Sequence, residues 1–275
     1  MPDDLPEYAK TQLAFHRAFG RDLMRGVRSA AIPRRGTVLD VPAGDGFYSL
    51  LLARRMYPHG RVVAADISTA YLDRARERIA KHDRLAPVEF RQSDAYALPF
   101  DDASFDAVWC AESLISLTDP VKALREMRRV VKPGGAVLVL EADEFHHVIL
   151  NWPVALELDV SRAIAAATRS EYGTPAALSP ARKVRGWLAE AGLVTGPKRT
   201  IAADRVAPFG PAVRRFLRYR FAETRALIAP HLSAESLAAY DAATHPRHPG
   251  AFLQKPDAEL TCLISLFLAR RPVQA

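Results

Sequence analysis

Cysteine is scarce. Two residues, Cys110 and Cys262, among 275 are too few for a disulfide framework or an all-cysteine zinc site. They suit a reducing compartment, and a cytoplasmic location is the expectation. The start, Met1-Pro2-Asp3-Asp4, lacks the basic segment and apolar run of a signal peptide. The strongest hydrophobic run, at 260–269, has about half of the ~20 residues that a membrane helix needs. Internal repeats and low-complexity tracts are missing too. These absences turn attention away from secreted, membrane and fibrous proteins.

What remains is the composition of a folded domain, 49% hydrophobic and 25% charged, long enough for a large core with insertions. Lys and Arg number 38 against 31 Asp and Glu, a net charge of +7. That balance permits an acidic partner, but without clustering it specifies none. Homo-oligomerisation is left open.

Residues 6–31 have helical periodicity, with Leu13, Phe15, Ala18, Phe19, Leu23 and Val27 apolar and several arginines elsewhere on the surface. From residue 37 the texture changes. Short β-rich runs at 37–41, 61–65, 88–92, 105–109 and 136–141 alternate with helical stretches at 48–56, 70–81 and 120–131. Strand, helix, strand, repeated, predicts an α/β fold with a parallel sheet covered on both faces. Beyond Glu141 the alternation stops. A helix is expected at 153–170, another from Ser179-Pro180 to about 191, and strands at 199–206 and 260–269. The domain reading is an N-terminal arm or lid (1–31), a core (32–145), a helical cap insertion (146–178), a core helix and strand (179–206), a second cap insertion (207–259), and a last strand with its tail (260–275).

The chemistry concentrates in loops at one edge of the sheet. Val38-Leu39-Asp40-Val41-Pro42-Ala43-Gly44-Asp45-Gly46 is an apolar strand ending in an acid, then a glycine turn that lets backbone approach a ligand. The second strand ends in Asp66, where doubly wound nucleotide-binding folds bond ribose hydroxyls, and the third is followed by Ser93-Asp94-Ala95. One such acid is an ordinary cap or loop residue. Three at successive strand ends describe a ligand crevice.

On these residues the chain resembles the class I S-adenosylmethionine-dependent methyltransferases, and within them the type 11 group similar to ubiquinone/menaquinone-biosynthesis methyltransferases. Leu98-Pro99-Phe100, Ser104-Phe105-Asp106-Ala107-Val108 and Arg128-Arg129-Val130-Val131-Lys132-Pro133-Gly134-Gly135 add to the likeness, which covers about 35–142. It implies a Rossmann-like seven-stranded sheet with an antiparallel finish, and S-adenosyl-L-methionine as cofactor. It implies that Asp40, Val41, Pro42, Ala43, Gly44 and Gly46 hold the methionine part, that Asp66 binds the ribose, that Ile67 flanks the adenine, and that Asp94 and Ala95 read its edge. Ala111 and Glu112, ending the fourth strand, complete the cofactor set. Where this chain has Pro42 the family usually has Gly, so one backbone N–H contact is lost.

A nicotinamide dehydrogenase would want G-x-G-x-x-G, and the carboxylates of Asp40 and Asp45 beside the turn would repel its pyrophosphate while suiting a cationic sulfonium. The P-loop motif is absent. Arg214 to Arg220 interleaves arginine with aromatics, as an RNA-binding segment does, yet Leu217, Phe221 and Ile228 place an apolar face opposite Arg214, Arg218 and Arg225. Neither His146-His147 nor His245-x-x-His248 has the spacing of a helical zinc pair, so no metal is expected. The expected activity is methyl transfer to an O, N or C nucleophile of a small-molecule acceptor, with no membrane partner and nucleic acid disfavoured. A nucleic-acid methyltransferase and a non-catalytic cofactor-binding subunit are the alternatives. If a proton must be removed, His146 or His147, oriented by Asp143 or Glu144, is the candidate base, and His16 on the N-terminal helix is the other.

Overall fold

The computed structural model describes residues 9–172 and 179–273. The first eight residues of the expected arm and residues 173–178 of the first cap lie outside them. Eight strands form one sheet: β1 (Gly36–Asp40), β2 (Gly60–Asp66), β3 (Val88–Gln92), β4 (Phe105–Ala111), β5 (Val131–Glu141), β6 (Val148–Leu150), β7 (Val194–Val206) and β8 (Glu259–Arg270). The order is β3-β2-β1-β4-β5-β8, with β7 along the far side of β8. The first five strands are parallel, and β8 is antiparallel to β5 and β7. The expected seven strands become eight because β6, only three residues long, pairs with Leu260, Thr261 and Cys262, while β5 pairs with 265–270 of the same strand. A three-residue strand is too short to show a period of two.

Both faces of the sheet are buried, and side chains alternate between them. Trp109 of β4 with Leu138 and Leu140 of β5 face the layer built by α1 (Ala9–Ser29), α2 (Phe47–Met56) and α7 (Pro211–Ile228). Val108 and Cys110 with Val137 and Val139 face α4 (Pro120–Val130) and α6 (Val184–Glu190). Local signals set the helix ends. Ser68 accepts a hydrogen bond from Tyr71 N at the start of α3 (Thr69–Ala80), and Asp119 accepts one from Lys122 N before α4, with Pro120 in its first turn. Ser179 departs from its expected role as a cap. Its hydroxyl donates to Asp143 Oδ1 (2.9 Å), and the chain makes a single 3₁₀ turn at Pro180–Arg182 before α6 begins. The Asp143 bond orients the hydroxyl across the fold, and its oxygen accepts no bond from the amides of that turn.

Beyond the sheet edge, α5 (Val154–Tyr172), α7 and α8 (Ala234–Thr244) form a smaller cluster around Leu156, Val160, Ile228 and Tyr240. The face of α7 buried in the core is Val213, Phe216, Leu217, Phe221 and Ile228. Arg214 donates to Leu253 O and Arg225 pairs with Asp241, as an amphipathic helix requires. Among the described residues no helix is long and apolar enough to cross a membrane.

The second half of α1 is anchored on β7. Asp22, 3% exposed, accepts from Arg205 Nη2 (2.6 Å) and pairs with Arg25 of its own helix. Arg205 also lies over the Phe19 ring, and Arg199 donates to Ser29 O at 2.7 Å. At Gly26 a Cβ would come within 2.3 Å of the Ile201 side chain, whose end would have to move to admit a larger residue. The Arg205–Asp22 bond is charge-assisted and mostly dry. Asp22→Asn is expected to lower the free energy of unfolding by about 2 kcal/mol in urea titrations, whereas Arg25→Ala, at a side chain 75% exposed, should cost less than ~0.5 kcal/mol.

Candidate active site

The carboxyl ends of β1, β2 and β3 meet at the glycine turn. Val41 N donates to Trp109 O and Ala43 N to Ala65 O, so the amides flanking Pro42 are spent on neighbouring strands. Gly44 has φ +52, and no atom lies within 4 Å of where its Cβ would stand. Its N–H donates to Asp66 Oδ2 (2.8 Å), while Oδ1 accepts from Ser68 N at 2.9 Å. Gly46 differs. With φ +75, a Cβ there would meet the Cβ of Ala75 at 2.6 Å, so this glycine serves helix packing.

Two carboxylates line the turn with no cationic partner among the described residues. Asp40, 1% exposed, accepts from Ser49 Oγ at 2.5 Å. Burial pushes its carboxyl up, against the Ser49 hydrogen bond and helped by Asp66 and Asp45, to about 7. Asp66, 5% exposed, is also raised by burial, and its hydrogen bonds are to backbone amides. Asp45 is different, because Arg78 pairs with its carboxylate and donates to its carbonyl. Ile67 beside Asp66 is 65% exposed, Asp94 is exposed with its side chain accepting only from Tyr96 N, and Ala95 is buried. The turn is thus open at Gly44 and acidic, with Ile67 and Asp94 exposed beyond it.

The ends of β4 and β5 form a second polar centre. Glu112, at φ +52, accepts from Tyr48 Oη (2.6 Å), His16 Nε2 (3.0 Å) and Gln12 Nε2 (3.2 Å). Burial alone would raise this carboxyl, but the imidazole and the three hydrogen bonds bring it down from 4.5 to about 2. Ala111, next to it, is buried in the sheet layer. Glu141 Oε1 accepts from the amides of Ser113 (2.9 Å) and Leu114 (2.6 Å), yet burial pushes this acid up to about 8.

The three candidate histidines part company. His146 is 62% exposed, with its Nδ1 between Asp143 and Arg182. His147 is mostly buried, edge-on to Phe15, and its Nδ1 is 3.9 Å from Glu144 Oε1. Glu144 in turn accepts from Arg220 Nη2 at 2.7 Å. His16, 5% exposed, stacks on Phe47 with ring centroids 3.8 Å apart. Sequence reasoning missed Gln12, Tyr48, Glu141 and Arg220. Gln12 and His16 had a usable signal, two polar residues four apart on a helix, bracketing the core residue Phe15.

Residues 39–139 match the family described as "Methyltransferase domain". The ubiquinone/menaquinone biosynthesis C-methyltransferase UbiE of Hahella chejuensis is 44% identical over 116 residues, 42% of this chain and 45% of that one. The UbiE of Idiomarina loihiensis is 45% identical over 119 residues, 43% and 47% of the two chains. The chain spans less than half the length of these relatives. Among solved structures, the Bacillus halodurans C-125 protein BH2331 aligns with a TM-score of 0.56 and 22% identity, covering 92% of this chain and all of that one. The [4+2]-cyclase SpnF aligns at 0.54 and 20% identity, over 97% and 95%. Phosphoethanolamine N-methyltransferase 2 of Haemonchus contortus, solved with S-adenosyl-L-methionine, aligns at 0.50 and 17%, over 95% and 56%. The fold is that of the class I methyltransferases, and the resemblance read from the motifs holds across 39–139.

Glu112 gives the site a definite pH signature. Its folded value, lowered from 4.5 to about 2, contributes stability that is complete above 4.5 and lost as the pH falls towards 2, about 3 kcal/mol in all. Glu141 acts oppositely: its contribution is present below 4.5 and is lost as the pH rises through about 8. In denaturant titrations Glu112→Gln is expected to be roughly 2–3 kcal/mol less stable at pH 7, with the deficit closing between pH 4.5 and 2. A deficit that does not vary with pH would contradict this origin.

Proposed function

We propose that this protein transfers a methyl group from S-adenosylmethionine to an O, N or C nucleophile of a small-molecule acceptor. The observation that carries the reading is the cradle at Gly44: open space above a left-handed glycine whose N–H is held by Asp66, with the buried carboxylate of Asp40 near Asp66 and, among the described residues, no ion pair to a cation at either. A ligand with an ammonium and a sulfonium fits that charge, and a pyrophosphate does not. Asp40 and Val41 to Gly44 would hold its methionine part, Asp66 its ribose, and Ile67, Asp94 and Ala95 its adenine. The SpnF likeness shows that the fold also serves a cyclase, so the reading rests on the cradle together with the UbiE relatives.

S-adenosylmethionine, when bound, supplies a methyl already activated by its sulfonium. The chain's own residues then have to align an acceptor with that methyl and keep water out, effects worth roughly 7–11 kcal/mol of the barrier. The cradle would supply one half of that alignment, and the polar centre under α1, at the ends of β4 and β5, would supply the other.

Calorimetry with S-adenosylmethionine tests the reading. Gly44→Ala is expected to keep the fold at a cost of about 1–2 kcal/mol for its positive φ and to lose tenfold or more in affinity, about 1.4 kcal/mol for each factor of ten. Gly46→Ala should instead destabilise the protein itself by roughly 2–4 kcal/mol, because its Cβ strikes Ala75. A wild-type protein that fails to bind would end the reading.

The same site predicts a pH dependence. Asp40 faces Asp66 from β2, Asp45 from the turn and Ser49 from α2. In the free protein its contribution to stability is present below 3.8 and lost as the pH rises through about 7. A cationic ligand favours the ionised carboxylate, so affinity should strengthen as the pH rises through about 7, with proton release in the calorimeter. Asp40→Asn should abolish that slope.

A further inference from the structure

A run of rings lines the α1 side of the sheet from the β5 loop to β4. His147 is 4.9 Å from Phe15, Phe15 6.0 Å from His16, His16 5.5 Å from Tyr48, and Tyr48 5.7 Å from Trp109. Within it His147 Nε2, His16 Nδ1 and Trp109 Nε1 are buried without a hydrogen-bond partner among the described residues. Buried polar atoms are nearly always paired, and three bare nitrogens in one seam mark where a bound polar group completes the pairing.

Of the three, His16 Nδ1 is the one whose protonation state the surroundings define. Glu112 is ionised and can only accept, so the imidazole nitrogen 3.0 Å from it, Nε2, carries the hydrogen. In the neutral ring the lone pair is then on Nδ1. The ring cannot turn freely, because it is stacked on Phe47, the residue that follows Gly46. His147 has no such definition: its Nδ1 lies 3.9 Å from Glu144, beyond hydrogen-bond range, and Arg220 already claims that carboxylate. His146 faces outward with Asp143 and Arg182. A trapped tautomer with a bare lone pair beside the cofactor turn is the arrangement a proton acceptor needs.

We propose that His16 is the general base of the methyl transfer, taking at Nδ1 the proton of an ionisable hydroxyl on the acceptor, with Glu112 as the positioning residue held in turn by Tyr48 and Gln12. This rests on the methyl-transfer reading above. The acceptor's O–H bond breaks, its proton passing to Nδ1 and its electrons staying on oxygen. An oxygen lone pair forms the new bond to the methyl carbon, and the sulfur–methyl electron pair remains on sulfur, which leaves as a neutral thioether. The imidazolium, paired with Glu112, returns its proton to water. Since Nδ1 is sealed beneath α1, the acceptor enters as the helix short of Phe19 lifts from Glu112, and the arrangement is restored as Gln12 and His16 close back on that carboxylate, while Asp22 and Arg205 hold the other half.

His16→Gln separates catalysis from structure, since its amide still donates to Glu112 but offers no basic nitrogen. Labelled S-adenosylmethionine would be given to wild type and variant with phenol, acetylacetone as an enol, and benzylamine. Transfer to a hydroxyl probe is expected, with a loss of roughly 10²–10⁴-fold in the variant and unchanged cofactor affinity by calorimetry. The wild-type rate should fall in acid and the variant's should not. Of the groups facing His16, Glu112 from β4 is ionised throughout this range, and Tyr48 from α2 is pushed well above its ordinary 10 by burial, so neither supplies that limb. Independently of turnover, ¹⁵N-histidine NMR of the free protein should show His16 as the Nε2–H tautomer, and Glu112→Gln should disturb it. An Nδ1–H tautomer, equal rates in wild type and His16→Gln, transfer to benzylamine alone, or bound cofactor with no transfer to either hydroxyl probe would each overturn the proposal. Absence of cofactor binding in the wild type would instead remove the methyl-transfer reading on which it stands.

Discussion

An ionised carboxylate at the end of a buried strand must be satisfied by the protein, because water reaches little of it. Glu112 meets that demand with donors from two helices, Tyr48 of α2 and Gln12 and His16 of α1. Each donor constrains the chain that bears it. α1 leaves the sheet edge only at the cost of stranding a charge in a poorly solvated position, a penalty of several kcal/mol. α2 cannot rotate without moving the turn from which it springs. The left-handed backbone at Glu112, φ +52 in a residue other than glycine, is tolerated because the surrounding bonds over-determine it. One side chain thus couples the N-terminal helix, the cofactor turn and the strand end.

The neighbouring acids show what happens when compensation is withheld. Asp45 has Arg78 and is a structural clamp between the turn and α3. Asp40 and Asp66 have only neutral hydrogen-bond donors, and burial raises both. Among three carboxylates a few residues apart in space, the two without a cation are those that border the open cradle. Their uncompensated charge is a cost to the free protein that a cationic ligand removes, which is how a binding site and a weak point in stability come to coincide.

Much of this was legible in the sequence, and the failures have physical causes. The five parallel strands fell within two residues of their expected starts, β5 excepted, because runs buried on both faces leave an unambiguous apolar signal. β5 starts at Val131 rather than 136, since the Lys132-Pro133-Gly134-Gly135 phrase that reads as a helix stop also continues into the strand. β6 and the displaced cap at Ser179 depend on partners more than 30 residues away, Leu260 to Cys262 and Asp143, which no local pattern encodes. The cofactor turn is local, and its residues were found. The second polar centre draws one or two residues each from α1, α2, α7 and the ends of β4 and β5, so it was found only in part: three histidines were named, but not Tyr48, Gln12 or Arg220, which distinguish one from another.

The two centres are joined by adjacent residues. Gly46 ends the cofactor turn, Phe47 stacks on His16, and Tyr48 donates to Glu112. The turn therefore lies within two residues of the groups that hold the first half of α1. The connection runs through a helix N-terminus packed against Ala75 of α3, so it is stiff rather than slack. Its far end bears on the part of α1 that is held by Glu112 and not on the part pinned to β7. The helix is thus held at one end by Asp22 on Arg205 and at the other by Glu112 together with the packing of Phe15 on Phe216 and His147.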